Sequence, residues 1–265
     1  MNWDALPAHE LWVVDFEYYP GRGLANGGRE GDAITPLCCV AHEMRSGRTV
    51  ELWQDQLGPF PPYRLDNDAI FFSYMLSADF GAHIALGWGQ PARAICPYVE
   101  FRHLTNDARI RSGDREKGFY SLAGALRYVG DDGVDCAQKD DIRDRIIAGP
   151  PFTTEERQII LSYCRNDVMA FRLIKHIVPT IRSLPHAFMR AQFMWATAQQ
   201  EHRGVPLDLP LLGRIRSRLP RQGDTEILPI LQHLASGNFP EVFLDLSLGE
   251  FRPLAFLSGA SLCLQ

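Results

Sequence analysis

The chain has 265 residues, of which 46% are hydrophobic and 22% are charged, and its formal net charge is −5. This length is enough to bury a sizeable core, as one large domain or as one domain with an appendage. The acidic balance excludes a protein that coats nucleic acid through an overall basic field, so any contact with nucleic acid must be local.

The cysteines and the first residues indicate a cytosolic protein. The six cysteines include no C-x-x-C pair and lack the spacing of a secreted disulfide framework, so we expect buried thiols rather than zinc ligands or disulfides. The N-terminal residues contain no basic segment followed by an apolar one, and no apolar run approaches the ~20 residues of a membrane span. The sequence therefore predicts a cytoplasmic protein without a membrane partner.

Residues 11–17 (LWVVDFE) form the most informative segment of the chain. Four apolar residues in a row predict a central strand that is covered on both faces. Because side chains alternate along a strand, Asp15 and Glu17 point to the same side. Two neighbouring carboxylates at a strand end favour a bound cation; the alternative is that they cap the strand where it meets solvent.

The next segments predict a hairpin beside the first strand. A glycine-rich loop (21–31) lacks the spacing of a phosphate-binding loop. Two apolar stretches (36–44 and 48–53) then follow, separated by Ser46 and Gly47, which is typical of a turn between antiparallel strands.

A second apolar strand is predicted at 69–74, and a helix over 77–86 with Ser77 or Asp79 at its start. Asp79 thus lies at a strand-to-helix junction. Taken alone, an aspartate in this position is commonly a helix cap.

The remaining helices follow from capping residues and apolar spacing. Short helices are predicted at 97–104 and at 121–128, the latter with Ser121 as N-cap, and a polar loop is predicted between them at 106–118. A longer helix begins with a capping-box-like start at 153–156 and runs toward Val178. Tyr163 and Asp167 share one face of it because they are four residues apart; an ordinary amphipathic helix is the alternative explanation.

A change of character near residue 183 predicts a domain boundary. A helix is expected at 186–200, and a basic helix follows that contains Arg214, Arg216, Arg218 and Arg221. We therefore divide the chain into a domain at 1–182 and a helical extension at 183–265.

Three motifs, in this order, resemble those of the DEDD-superfamily 3′-5′ exonucleases. They are Asp15 and Glu17 on the first strand, Asp79 after a later strand, and Tyr163-Cys164-Arg165-Asn166-Asp167 on a helix. Tyrosine four residues before the last aspartate is typical of the tyrosine subclass, whereas the sister subclass has histidine where this chain has Ser162. The motif separation resembles the proofreading domain of DNA polymerase I-type (family A) enzymes. Residues 200–208 (QEHRGVPLD) resemble the segment that leads into their polymerase domain.

This resemblance implies a fold, a metal site and residue roles. The fold would be an RNase H-like α/β layout, with a mixed sheet flanked by helices and a C-terminal helical extension. Two Mg²⁺ or Mn²⁺ ions would be bound: Asp15, Glu17 and Asp167 hold the first, Asp15 bridges to the second, and Asp79 supports the second through water. Tyr163 would orient the attacking water, since a phenol with a pKa of ~10 is a poor general base at neutral pH. These five residues are the expected catalytic set.

The function implied is the release of nucleoside 5′-monophosphates from the 3′ ends of single-stranded DNA, as in proofreading during DNA replication. Residues 209–265 are too few for a polymerase fold, so we expect either a truncated polymerase or one part of a split enzyme that assembles with a separate polymerase chain. Two alternatives stay open: an RNA-trimming exonuclease of the RNase D kind, and a catalytically idle module that binds DNA or a polymerase subunit.

The chain departs from the family pattern at Met75, where asparagine is common.

Tyr18, Tyr19 and Phe80 lie near the acids and are candidates for stacking on the terminal bases, a contact worth about 1–3 kcal/mol per base. Packing in the core is the alternative, and it is the favoured explanation for Phe80.

Overall fold

A computed structural model describes residues 3–19, 34–112, 118–131, 139–169, 171–204 and 210 of the chain. The strands in this part are β1 (Glu10–Tyr19), β2 (Thr35–Glu43), β3 (Thr49–Trp53), β4 (Ala69–Phe72) and β5 (Ala94–Ile95). The helices are α1 (Leu76–Ala85), α2 (Pro97–Ser112), α3 (Leu122–Tyr128), α4 (Lys139–Ile147), α5 (Thr154–Met169), α6 (Phe171–Ile177) and α7 (Leu184–Arg203). None of these helices is long and apolar enough to cross a membrane.

The strands form one mixed sheet in the order β3-β2-β1-β4-β5. β2 is antiparallel to both β1 and β3, whereas β4 is parallel to β1 and β5. The prediction that the first strand is central is confirmed, and so is the α/β class with a mixed sheet flanked by helices.

The two faces of β1 pack into two separate hydrophobic clusters. Leu11 and Val13 point to the face that α4 and α5 cover. Trp12, Val14 and Phe16 point to the face that α1 covers, and α7 packs against α1 and β5 on that side. Burial on both faces explains why the strand is an uninterrupted apolar run rather than an alternating one.

The predicted hairpin is formed by β2 and β3. Its turn contains Gly47 at φ +75°, a backbone conformation that glycine adopts without steric cost. The buried carboxylate of Glu43 holds the turn and β1 together, because it accepts hydrogen bonds from the backbone N–H groups of Leu11 (2.8 Å) and Ser46 (2.7 Å).

Capping residues mark the helix starts as predicted. The Ser121 hydroxyl accepts a hydrogen bond from the backbone N–H of Gly124 (3.1 Å) at the start of α3. At the start of α5, Thr153 and Glu156 form a reciprocal capping box, with distances of 3.2 Å and 2.7 Å. These bonds satisfy backbone donors that have no partner within the helix.

Two helical segments differ from the sequence prediction. The loop expected from residue 106 is wrong as far as Ser112, because α2 continues to that residue. The segment Lys139–Ile147 is a helix, α4, that was not predicted. Both segments are rich in charged residues, and neither contains a proline or glycine that would stop a helix.

Residues Met1–Gly204 form one compact unit, and Val205–Gln265 form a second. Within the first unit, α7 is held by an ion pair between Arg190 and the buried Glu100 of α2, with distances of 2.7 Å and 2.6 Å. The domain boundary near residue 183 stays a prediction. The glycine-rich loop and the basic helix with Arg214 lie outside the described residues.

Candidate active site

The first two acids lie where β1 extends past the end of its parallel neighbour. The ladder between β1 and β4 ends with the pair Val13 and Phe72, so Asp15 and Glu17 stand beyond it at the carboxyl edge of the sheet. Both side chains are half-buried and lie on the α5 face, next to the thiol of Cys164. The alternation of side chains predicted from the sequence therefore gives two carboxylates on one side.

Asp79 is fixed to the same edge by two hydrogen bonds. Its Oδ1 accepts from the backbone N–H of Phe16 (2.9 Å), the residue between Asp15 and Glu17. Its Oδ2 accepts from the hydroxyl of Ser73, which directly follows β4. The residue at the N-cap position of α1 is Met75, so Asp79 does not serve as the helix cap that its position suggested. The carboxylate of Asp79 instead accepts a hydrogen bond from the backbone of β1.

Helix α5 brings the third element to the site. The Cys164 thiol donates a hydrogen bond to the backbone carbonyl oxygen of Asp15 (3.3 Å), which places the middle of α5 against the end of β1. Tyr163 and Asp167 lie on either side of this cysteine along the helix, and both are half-buried. The charge of Asp167 raises the pKa of Asp15, Glu17 and Asp79, so its carboxylate is within electrostatic range of all three.

Asp15, Glu17 and Asp79 are costly to ionise together. Burial is the largest cause that raises the pKa of Asp15 and Glu17 well above its ordinary value, and repulsion from neighbouring carboxylates raises it further. Burial also raises the pKa of Asp79 to about 7, although its bonds to Ser73 and Phe16 act in the opposite direction. Among the described ion pairs, none involves Asp15, Glu17 or Asp79.

The donor set fits a hard divalent cation. Asp15 Oδ2 is buried and has no hydrogen-bond partner among the described residues, which is a costly arrangement unless another charge meets it. Ligand atoms of Asp15, Glu17 and Cys164 lie within 4.8 Å of one another. Carboxylate oxygens are the ligands that Mg²⁺ and Mn²⁺ prefer. Of the four acids expected to hold these ions, Asp15 and Glu17 belong to this group, whereas Asp79 and Asp167 do not.

The three aromatic candidates differ in exposure. Tyr18 and Tyr19 are half-buried at the end of β1. Phe80 has only 1% of its surface exposed, and its ring packs against Phe71 and Trp195. Its expected role in stacking on a base is therefore wrong for this structure, because no ring face is free to receive one.

Sequence reasoning missed two kinds of residue at this site. Ser73 orients Asp79, and its place directly after an apolar strand was the available signal. Cys38 of β2 lies opposite Glu17 and packs in the same buried cluster as Cys164. Two buried thiols therefore lie on the same face of the sheet as Asp15 and Glu17. The sequence does not indicate this arrangement, because Cys38 and Cys164 are more than a hundred residues apart.

Comparisons with known proteins add no family assignment. No protein-family model matches the chain, and a search of curated proteins finds no match. The site's chemistry must be argued from its own residues.

Proposed function

We propose that this chain is a metal-dependent 3′-5′ exonuclease that releases nucleoside 5′-monophosphates from the 3′ ends of single-stranded DNA. The observation that carries the proposal is the convergence of carboxylates from β1, α1 and α5 at one edge of a mixed sheet. The mixed sheet with helices on both faces is also compatible with the RNase H-like layout that the motifs imply.

The carboxylates are the groups that would hold two divalent ions. Asp15, Glu17 and Asp167 would ligate the first, and Asp15 would share the second with Asp79; of these acids, Asp15 and Glu17 have ligand atoms within 4.8 Å of each other. When bound, such ions activate water and stabilise the attacking and leaving oxygens of a phosphodiester.

The remaining roles belong to residues of the chain itself. Ser73 and the Phe16 N–H fix the orientation of Asp79, so that its carboxylate is held in place before any ion arrives. Tyr163, one helical turn before Asp167, would hydrogen-bond the attacking water and orient it. Tyr18 and Tyr19 are the candidates for contacting the terminal nucleotide.

The test uses a single strand labelled so that loss of the 3′ nucleotide is visible, with Mg²⁺ or Mn²⁺. We expect wild type to release mononucleotides, and Asp15→Ala to release none because two ion sites lose a shared ligand. Tyr163→Phe should lower the rate about 10- to 100-fold, the equivalent of one hydrogen bond of about 1.5–3 kcal/mol. Asp66→Ala, which removes an exposed surface carboxylate, is the matched control and should keep full activity.

The outcomes separate the proposal from its alternatives. Undiminished release from Asp15→Ala would place the activity in another site or in a contaminant. Faster degradation of an RNA strand of the same sequence would favour the RNase D kind of enzyme. DNA binding that is insensitive to EDTA, without nucleotide release, would favour an idle binding module.

A further inference from the structure

Two buried thiols, Cys38 and Cys164, lie next to the acidic site, and the two-ion mechanism does not use them. Cys164 is fully buried and lies between Tyr163 and Asp167 on α5. Cys38 lies opposite Glu17 in the β1–β2 pair and packs in the same buried cluster as Cys164. Cys39, the next residue along β2, packs into the cluster on the other face of the sheet.

The distances suit a mixed oxygen and sulfur site. Ligand atoms of Asp15, Glu17 and Cys164 lie within 4.8 Å of one another. With Zn–O bonds of ~2.0–2.2 Å and a Zn–S bond of ~2.3 Å, the ligand atoms of a tetrahedral zinc site are about 3.5 Å apart, so only a small closure is needed. Asp15, one of the three residues, also has a buried Oδ2 without a hydrogen-bond partner among the described residues, a cost that a bound cation would offset.

We propose that Asp15, Glu17 and Cys164 form a site for a thiophilic divalent cation, Zn²⁺, that overlaps the site of the catalytic magnesium. Thiolate is a strong ligand for Zn²⁺ and a poor one for Mg²⁺, so Cys164 distinguishes the two ions. Binding displaces the proton of the Cys164 thiol to solvent and breaks its hydrogen bond to the Asp15 carbonyl oxygen, with no change in oxidation state.

The regulatory consequence rests on the proposed function. Zn²⁺ held by Asp15 and Glu17 removes two ligands from the catalytic ion, so it should inhibit nucleotide release in competition with Mg²⁺. Loss of the thiolate should weaken Zn²⁺ binding about tenfold or more and leave Mg²⁺ binding nearly unchanged.

The direct test is spectroscopic and needs no nucleic acid. The full chain, freed of metal with a chelator, is titrated with Co²⁺, which reports a thiolate ligand through a sulfur-to-cobalt charge-transfer band in the near ultraviolet. We expect the band in wild type, its loss in Cys164→Ser and in Cys164→Ala, and its retention in Cys96→Ser. The last variant makes the same one-atom change at a buried thiol whose hydrogen bond goes to the Tyr74 carbonyl oxygen instead.

Two results would overturn the site: no charge-transfer band in the wild-type protein, or an undiminished band in a Cys164 variant whose circular dichroism is native. The wild-type measurement decides even when a variant does not fold. A cobalt band without any nuclease activity would remove the proposed function and keep the metal site. Nuclease activity without the band would remove this site alone.

Discussion

The substitution Asp79→Asn should stabilise the metal-free protein at neutral and alkaline pH. Asparagine has nearly the same shape, and its amide oxygen can accept from the Phe16 N–H as Asp79 Oδ1 does now at 2.9 Å. Its amide N–H₂ can donate to the Ser73 oxygen in place of the bond that Asp79 accepts. The substitution therefore keeps the contacts and removes only the negative charge.

The size of the effect follows from the pKa of Asp79. Burial raises it from 3.8 in the unfolded chain to about 7 in the folded one, a difference of about 3 units. At 1.36 kcal/mol per unit, this corresponds to about 4 kcal/mol. Since the folded state holds the proton more tightly, the stability contributed by the protonated group is complete below pH ~4 and is lost as the pH rises to about 7. The aspartate therefore destabilises the metal-free fold most above pH 7.

The assay is urea denaturation in EDTA across this pH range. Wild type and Asp79→Asn should have similar free energies of unfolding near pH 4, and the variant should be more stable by about 4 kcal/mol at pH 8. Asp66→Asn is the control, because this exposed carboxylate is paired with Arg64 and its pKa is lowered rather than raised. A difference between wild type and Asp79→Asn that stays constant from pH 4 to pH 8, or a less stable variant at pH 8, would refute the reasoning.

Three further predictions concern metal, an ion pair and a helix cap. Mg²⁺ should raise the melting temperature of wild type more at pH 8 than at pH 5, because the acids bind it only when ionised. Thermal scans with and without Mg²⁺ measure this, and an equal rise in melting temperature at both pH values would contradict the prediction. Arg190→Leu should lower the free energy of unfolding by about 3 kcal/mol, because it leaves the buried Glu100 without its partner. Urea denaturation at pH 7 measures this loss, and Arg182→Leu, at an exposed position, is the control that should change stability little. Ser121→Ala should cost about 1 kcal/mol by removing the cap of α3, whereas Ser121→Asp should preserve stability in the same assay.

Much of the fold was predictable because its signals are local. The apolar run at the start of β1, the turn with Gly47 and the capping boxes each depend on residues close together in the chain, and the structure confirms them. The α2 extension to Ser112 was not predictable from periodicity, because that segment is mostly polar and its two apolar residues, Ala108 and Ile110, form no helical repeat. β5 has only two residues, too short for any repeating pattern.

The acids of the site were predictable as a set, whereas their supports were not. A strand ending in two carboxylates limits where a cation can lie, and the structure brings Asp79 and Asp167 to the same edge. Ser73 donates a hydrogen bond to Asp79, and this bond depends on the orientation of α1 relative to β4. The sequence does not predict that orientation. Cys38 and Cys164 share one buried cluster because α5 packs on β2, a contact between segments more than a hundred residues apart.

The ionised acids of the site lower the stability of the metal-free fold. A protein of this size is typically stable by only about 5–15 kcal/mol, so a single ionised aspartate that costs about 4 kcal/mol takes a considerable share. The hydrogen bonds from Ser73 and Phe16 lower the pKa of Asp79, yet they do not overcome burial. A cation that ionises the acids and meets the unpartnered Asp15 Oδ2 would restore that stability and create the reactive centre at once. Variants that neutralise one acid should therefore separate the two properties, with the fold becoming more stable in EDTA as the ability to bind metal falls.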